Sequence, residues 1–121
     1  MDNLIKEIFK QNYPQAYQCD VWQYQVGLSE LLIRLYIPQE DGVNANTFEY
    51  LIFQGVLFFE GPLKWKGGLL VAGSREECLE ILQQIDIKNP LDAVDTGFYK
   101  LFKFRTSTFE IRIIATKVIA K

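Results

Sequence analysis

Positively charged residues are concentrated near the carboxyl end of the chain, where aromatic residues alternate with them. Residues 98–121 contain a single acidic residue, Glu110, and six basic residues: Lys100, Lys103, Arg105, Arg112, Lys117 and Lys121. Such a segment can bind single-stranded nucleic acid, because basic side chains contact phosphates while aromatic rings stack on bases. The same alternation permits a second arrangement, in which Phe102 and Phe104 face the core while Lys103 and Arg105 form a solvated outer face.

The charge of the whole chain bears on this choice. The first 97 residues contain seven basic and fourteen acidic residues, so the chain has a net charge of −2 and a pI of about 5.1. This acidity makes a dedicated nucleic-acid binder unlikely. The uneven charge instead favours contact with another protein or a second copy, because complementary fields orient such contacts. Lys103, Arg105 and Arg112 are the predicted contact residues here.

A second candidate contact lies in the segment Lys64-Trp65-Lys66-Gly67-Gly68. The two glycines and two lysines predict an exposed turn. An aromatic side chain held in such a turn is typical of the anchor residue of a protein interface. The alternative, that Trp65 folds back as a lid on the core, has equal weight from the sequence.

Residue types that catalyse reactions or bind metals are sparse. The chain has no histidine, which is the commonest metal ligand and the commonest acid–base group near neutral pH. Cys19 and Cys78 are predicted to be free, buried thiols and not a disulfide. Cys78 lies near a helix start, but Glu76 and Glu77 precede it and oppose the formation of a thiolate.

The carboxylates show no spacing that is typical of a site. Asp86, Asp92 and Asp95 do not fit a calcium-binding loop, and the sequence has no phosphate-binding loop, dinucleotide fingerprint or nucleophile elbow. Glu49 and Glu60 could act in catalysis only if the fold brought them into one pocket. The sequence therefore predicts no enzyme, no metal and no cofactor.

The elements that must position these residues begin with a predicted helix. Asp2 or Asn3 can cap it, and Pro14 ends it. Its apolar residues have helical spacing: Leu4, Ile5, Ile8 and Phe9. Residues 15–26 then alternate as a strand, and a change of phase near residues 20–22 indicates a bulge.

Two further strands are predicted on either side of a polar loop. Residues 28–37 place Leu31, Ile33, Leu35 and Ile37 on one face and Glu30, Leu32, Arg34 and Tyr36 on the other. Residues 38–46 form the loop. Residues 47–59 are apolar on both faces and predict a central strand covered on both sides, with a bulge or a close backbone approach at Gly55.

The second half of the chain predicts a helix followed by two strands. Ser74 and Glu77 have the spacing of a capping box at the start of a helix over 74–85. A loop with one helical turn at 90–94 comes next. Strands follow over 98–105 and 109–119 and are joined as a hairpin at Thr106-Ser107-Thr108.

The predicted order is thus α-β-β-β-(β)-α-β-β. Short connections between neighbouring strands indicate one α+β domain over residues 1–121. It consists of a mostly antiparallel sheet of five to six strands with two helices packed on one face. This order is loosely similar to that of small acidic dimeric secretion chaperones, and the composition is similar to that of small acidic α+β immunity proteins.

The composition is that of a folded globular protein, with 49% apolar and 23% charged residues. No apolar stretch is long enough to span a membrane, and the acidic residues near the amino end oppose a signal peptide, so we expect a cytoplasmic protein. The leading hypothesis is a non-catalytic protein–protein interaction module that forms a homodimer. The alternative is a small-ligand carrier with a cavity between a curved sheet and the first helix.

Overall fold

The computed structural model describes residues 18–36 and 48–120, which form two antiparallel sheets and two helices. The strands of the first sheet are β1 (Gln18–Gln25), β2 (Glu30–Tyr36), β3 (Phe48–Gln54), β5 (Lys64–Lys66) and β9 (Lys117–Ala120). They lie side by side in the order β5-β1-β2-β3-β9. A 3₁₀ turn, Val26–Leu28, joins β1 to β2.

The second sheet has four strands and lies against the helices. Its strands are β4 (Phe58–Glu60), β6 (Leu69–Ala72), β7 (Lys100–Arg105) and β8 (Glu110–Ala115), in the order β4-β8-β7-β6. The helices are α1 (Arg75–Gln84) and α2 (Pro90–Asp95).

The two sheets pack face to face around the main apolar core. Alternate residues of β2 point into this core, as the sequence predicted: Leu31, Ile33 and Leu35. Aromatic rings of the two sheets meet edge to face, with 5.4 Å between the ring centroids of Phe53 and Phe102. This arrangement is the favoured one for aromatic pairs, because the positive edge of one ring meets the negative face of the other.

The helices cover the other face of the second sheet. The capping box at the start of α1 is confirmed: the Ser74 hydroxyl accepts from the Glu77 amide at 3.1 Å, and the Ser74 amide donates to the Glu77 carboxylate at 3.2 Å. A second apolar cluster joins α1 to the sheet and contains Cys78, Ile81, Leu82, Leu101 and Ile114. The predicted helical turn at 90–94 is α2, with Pro90 at its first position, where a proline loses no hydrogen bond.

The chain crosses between the sheets at Gly55 and again at Thr116. Gly55 has φ of +63°, and a Cβ added there would lie 2.6 Å from Thr116 Oγ1. The amide and the hydroxyl of Thr116 both donate to the Gln54 carbonyl at 2.9 Å. The close approach expected at Gly55 is therefore present, but the predicted continuous strand over 47–59 is wrong. Its two halves are β3 and β4, which belong to different sheets.

The α+β class and the mostly antiparallel pairing are confirmed. The single sheet of five to six strands is wrong, because residues 18–36 and 48–120 form sheets of five and four strands. The strand predicted over 109–119 is likewise divided, into β8 and β9. The predicted first helix lies outside the described residues, so the first element that the structure describes is β1 and not a helix.

Candidate functional site

Lys103, which the sequence placed on a contact surface, lies buried between the second sheet and α1. Its Nζ is 2.9 Å from Glu77 Oε2 and 3.5 Å from Glu110 Oε2. Phe102 and Phe104 point into the core between the sheets, as the second arrangement predicted. The solvated position expected for Lys103 is wrong. The helix that covers this face of the sheet carries the carboxylate that neutralises the ammonium group.

The other two predicted cations of the hairpin also have carboxylate partners. Arg105 Nε is 3.3 Å from Glu110 Oε2, and the Arg112 guanidinium pairs with Glu60 across β8 and β4. Both arginines retain exposed surface. Three basic residues of this segment, Lys103, Arg105 and Arg112, therefore form ion pairs within the fold, while Lys100 donates to the carbonyls of Gly97 and Thr116.

Trp65 belongs to the core and not to an exposed turn. Residues Lys64–Lys66 form β5, and the indole is 4% exposed, with 5.1 Å between the ring centroids of Trp65 and Phe104. The exposed-anchor alternative is wrong, because strand alternation turns Trp65 inward and turns Lys64 and Lys66 outward. Lys64 lies opposite Asp20 of β1, at the edge of the outer face of the first sheet.

The carboxylates and thiols do not form one reactive centre. Glu49 lies in β3 and Glu60 in β4, in different sheets, and Glu60 is engaged with its arginine. Cys19 and Cys78 are free and buried, as predicted. Burial, and to a lesser extent the charge of Asp20, raises the pKa of the Cys19 thiol to about 12. Among residues 18–36 and 48–120, no group of three histidine, cysteine, aspartate or glutamate residues could hold a metal ion.

An aromatic cluster around Arg34 lies on the outer face of the first sheet. Arg34 is in the middle of β2, directly opposite Asp20 of β1. The bulge that the sequence phase predicted is centred on Trp22, which has no partner in the β1–β2 register. Trp22 lies over the guanidinium of Arg34 and remains 53% exposed.

The Arg34 side chain is fixed by one carboxylate and three rings. Its Nε and Nη2 donate to the two oxygens of Asp20 at 3.2 and 2.9 Å. Its Cζ lies 3.8 Å from the ring centroid of Trp22, 4.8 Å from that of Phe48 and 5.2 Å from that of Tyr36. The hydrogen bonds with Asp20 raise the pKa of Arg34 above its ordinary value, so it stays charged. We call these five residues the Arg34 cluster.

The side chains of the Arg34 cluster hold one another in place within the fold. A forked arginine–carboxylate pair fixes the guanidinium plane, and each ring on that plane contributes about 0.5–1 kcal/mol, or more where water is excluded. Trp22 and Phe48 are the most exposed members of the cluster. Exposed rings that are already held in place lose little conformational freedom on binding, which lowers the cost of association.

A shallow cleft of about 310 Å³ adjoins the Arg34 cluster on the same face. Trp22, Leu32, Tyr50 and Ile52 supply its apolar walls. Glu30 lines the cleft as well, and its carboxylate accepts a hydrogen bond of 2.9 Å from the Gln54 side-chain amide. The outer face of the first sheet therefore carries the exposed rings of the Arg34 cluster and, beside them, a cleft in which the Glu30 carboxylate is hydrogen-bonded to Gln54.

Sequence reasoning missed this face, although a signal for it was present. The alternation in residues 28–37 correctly assigned Leu32, Arg34 and Tyr36 to the face opposite the core. No function was predicted for that face. Leucine, arginine and tyrosine in phase on one strand, beside the unpaired Trp22 of its neighbour, form a largely apolar and aromatic surface there.

No protein-family model matches the sequence, and no curated protein or solved structure matches the chain. In the described part of the chain, no helix is both long and apolar enough to cross a membrane.

Proposed function

We propose that this protein is a non-catalytic, cytoplasmic protein-interaction module of the adaptor, chaperone or immunity type. Its partner-binding surface is the outer face of the first sheet. The Arg34 cluster is the observation that carries the proposal, because Trp22 and Phe48 are exposed rings held in place by a fixed guanidinium. Tryptophan, tyrosine and arginine are the residue types that contribute most to binding energy at protein interfaces.

The charges of this face indicate the kind of partner. The guanidinium of Arg34 is neutralised by Asp20, so it does not call for an anion on the ligand, whereas Glu30 keeps its negative charge while it accepts from the Gln54 amide. The rings therefore favour an apolar or amphipathic stretch of polypeptide over an anion. Lys64 and Lys66 are exposed at the edge strand β5, where they can orient an acidic partner as it approaches.

The substitution Trp22→Ala tests this proposal. It removes the most exposed ring of the Arg34 cluster but leaves the pair between Arg34 and Asp20 in place. We expect partner affinity to fall by about 30-fold, the equivalent of a 2 kcal/mol hot spot. We expect the free energy of unfolding to change by only about 1 kcal/mol, since the side chain is half exposed. Proteins retained from host extract by the wild type and by the variant are compared quantitatively.

Phe98→Ala is the matched control. Phe98 is also an exposed ring, at 58%, but it lies beside Tyr99 at the end of α2 and away from the first sheet. The control should retain every partner that the wild type retains. Equal capture by Trp22→Ala and the wild type would refute the assignment, and so would equal losses in Trp22→Ala and Phe98→Ala.

A second candidate function is supported by the cleft beside the Arg34 cluster. Its volume of about 310 Å³ is near the lower bound for small-molecule sites, roughly 300 Å³, and Trp22 and Tyr50 line it. The core between the sheets, in contrast, is filled by large buried side chains such as Phe53 and Phe102. The cavity predicted against the first helix involves residues outside the described ones. Native mass spectrometry of protein purified from its host distinguishes the two functions, because a carrier retains a bound small molecule.

A further inference from the structure

One end of the sandwich of sheets carries an apolar cleft that the proposed function does not use. The cleft has a volume of about 270 Å³, and its lining includes Tyr24, Leu31, Val56, Phe59 and Leu63. Leu63 is 69% exposed and Tyr24 is 46% exposed. Every residue that lines the cleft is uncharged.

An apolar protrusion stands directly beside this cleft. The turn Val26–Leu28 follows two residues after Tyr24, and its two apolar side chains are 79% and 64% exposed. The Val56 amide donates to the Ser29 carbonyl at 2.9 Å, which ties the end of the turn to the cleft wall. We call Tyr24, Val26, Leu28, Leu63 and the cleft between them the apolar end patch.

The apolar end patch lies at one end of the first sheet, and Tyr36 and Phe48 of the Arg34 cluster lie at the other. Gln18 pairs with Tyr36, and Tyr36 pairs with Phe48, so these residues share one end of the sheet. The hairpin turn Val26–Leu28 is at the opposite end. Residues 1–17 and 37–47 therefore join the described chain at the end of the sheet that is remote from the patch.

The uncharged lining of the patch allows it to meet the same surface on a second copy. In a two-fold contact each group faces the same surface on the other copy, so like charges in that surface repel. A lining of uncharged residues avoids this cost, and a protrusion beside a cleft supplies both halves of a self-complementary contact. The ion-paired surface around Arg105 and Arg112, in contrast, places charges where identical surfaces would meet.

The size of the patch suits a reversible contact. With roughly 100 Å² of apolar surface for an aliphatic side chain and 200 Å² for an aromatic one, the four exposed residues leave about 300 Å² open on each copy. This is at the lower end of the roughly 300–600 Å² that the largest apolar patch of a typical monomer covers, and such patches are often functional. Two such patches together cover about 600 Å², which is less than the roughly 1,000 Å² of a stable interface and therefore fits a weak, transient contact.

We propose that the apolar end patch is the surface through which two copies of this chain associate. Val26 and Leu28 of each copy enter the cleft beside Leu63 of the other. The contact is separate from the Arg34 cluster and does not depend on the proposed function. Because the buried area is small, the dimer is in rapid equilibrium with the monomer.

Sedimentation equilibrium of the full chain over low micromolar to millimolar concentration tests the proposal. The expected result is a reversible shift from 14.1 kDa to twice that mass, with its midpoint inside this concentration range. Leu63→Asp and Val26→Asp should each raise the midpoint at least tenfold. Both side chains are exposed, so both variants should keep the wild-type circular dichroism spectrum.

Leu91→Asp is the matched control, because Leu91 is an exposed leucine in α2, far from the first sheet. Its midpoint should equal that of the wild type. A wild-type protein that remains at 14.1 kDa throughout overturns the proposal. A dimer that Leu63→Asp and Val26→Asp weaken no more than the control does also overturns it. Trp22→Ala should leave the midpoint of dimerisation unchanged. The proposal of self-association through the apolar end patch and the proposal of partner binding through the Arg34 cluster are therefore tested by separate measurements.

Discussion

Gly55→Ala should destabilise the protein more than alanine substitution of Gly97, Gly73 or Gly27, because it combines two penalties. The backbone at Gly55 has φ of +63°, a conformation that costs an alanine about 1–2 kcal/mol. The new Cβ would also lie 2.6 Å from Thr116 Oγ1 and 2.7 Å from Thr116 Cγ2. Thr116 cannot turn away without breaking its hydrogen bond to the Gln54 carbonyl. Overpacking of this kind costs about 1–3 kcal/mol, so we expect a total loss of about 2–5 kcal/mol.

Three other glycines separate the two penalties. Gly97 has φ of +74° with nothing within 4 Å of an added Cβ, so Gly97→Ala should cost only about 1–2 kcal/mol. At Gly73 the backbone is ordinary, but an added Cβ would overlap the buried Leu101 side chain, and the expected cost is about 1–3 kcal/mol. Gly27 has neither feature, and Gly27→Ala should be neutral or stabilising by up to about 1 kcal/mol.

Urea unfolding followed by circular dichroism at low micromolar concentration gives the free energy of unfolding for each of the four variants. A double-mutant cycle with Thr116→Ala then isolates the contact, because Gly55→Ala should cost about 1 kcal/mol less in that background. If Gly55→Ala lowers the free energy of unfolding no more than Gly97→Ala does, the close contact between Gly55 and Thr116 is refuted. Equal losses with and without Thr116 would refute it as well.

Two further expectations concern the neutralised hairpin and the buried indole. Glu77→Gln keeps the cap of α1 but removes the negative charge beside Lys103. We expect the free energy of unfolding to fall by about 1–2 kcal/mol at pH 7. This is less than the roughly 3–5 kcal/mol for breaking a fully buried pair, because the Glu77 side chain is 39% exposed. The hydrogen bond from Lys103, followed by that from the Ser74 amide, lowers the pKa of Glu77. The stabilisation of the fold by the Glu77 carboxylate is therefore complete above the unfolded pKa of about 4.3 and is lost as the pH falls through the lower pKa of the folded state. The free energy of unfolding should accordingly fall less steeply with decreasing pH in Glu77→Gln than in the wild type. Trp65→Ala should cost about 3–5 kcal/mol in urea unfolding against about 1 kcal/mol for Trp22→Ala, and similar costs for both would contradict the burial of Trp65.

Local patterns predicted the features that short-range spacing in the sequence encodes. The capping box is formed by Ser74 and Glu77, which are three residues apart, so their spacing in the sequence is enough to predict its two hydrogen bonds. The bulge at Trp22 follows from a break in the two-residue period, and the faces of β2 follow from the same period. Each of these features needs no information from distant parts of the chain.

The division into two sheets was not predictable from the same patterns. Residues 47–59 are apolar on both faces, which is typical of a central strand with cover on both sides. A chain that passes from one sheet to another gives the same pattern, because each half is buried against different neighbours. What separates the two cases is the pairing of Gln54 and Gly55 with Thr116, about sixty residues later in the chain. A single sequence contains no signal for that contact.

The candidate site was misplaced for a related reason. Charge counted along the sequence measures neither exposure nor pairing, and the carboxylates that neutralise Lys103 and Arg112 come from α1 and β4, distant in the chain. The hairpin has a net positive charge when its residues are counted along the sequence. In the fold, Lys103 and Arg112 are paired with carboxylates from other elements. Arg34 is also paired with a carboxylate, that of Asp20, but Trp22 and Phe48 from neighbouring strands lie over its guanidinium as well and leave exposed rings on the sheet. Periodicity assigns each side chain to one face of its strand, whereas the neighbouring strands that supply the carboxylates and the rings are set by the fold of the whole chain.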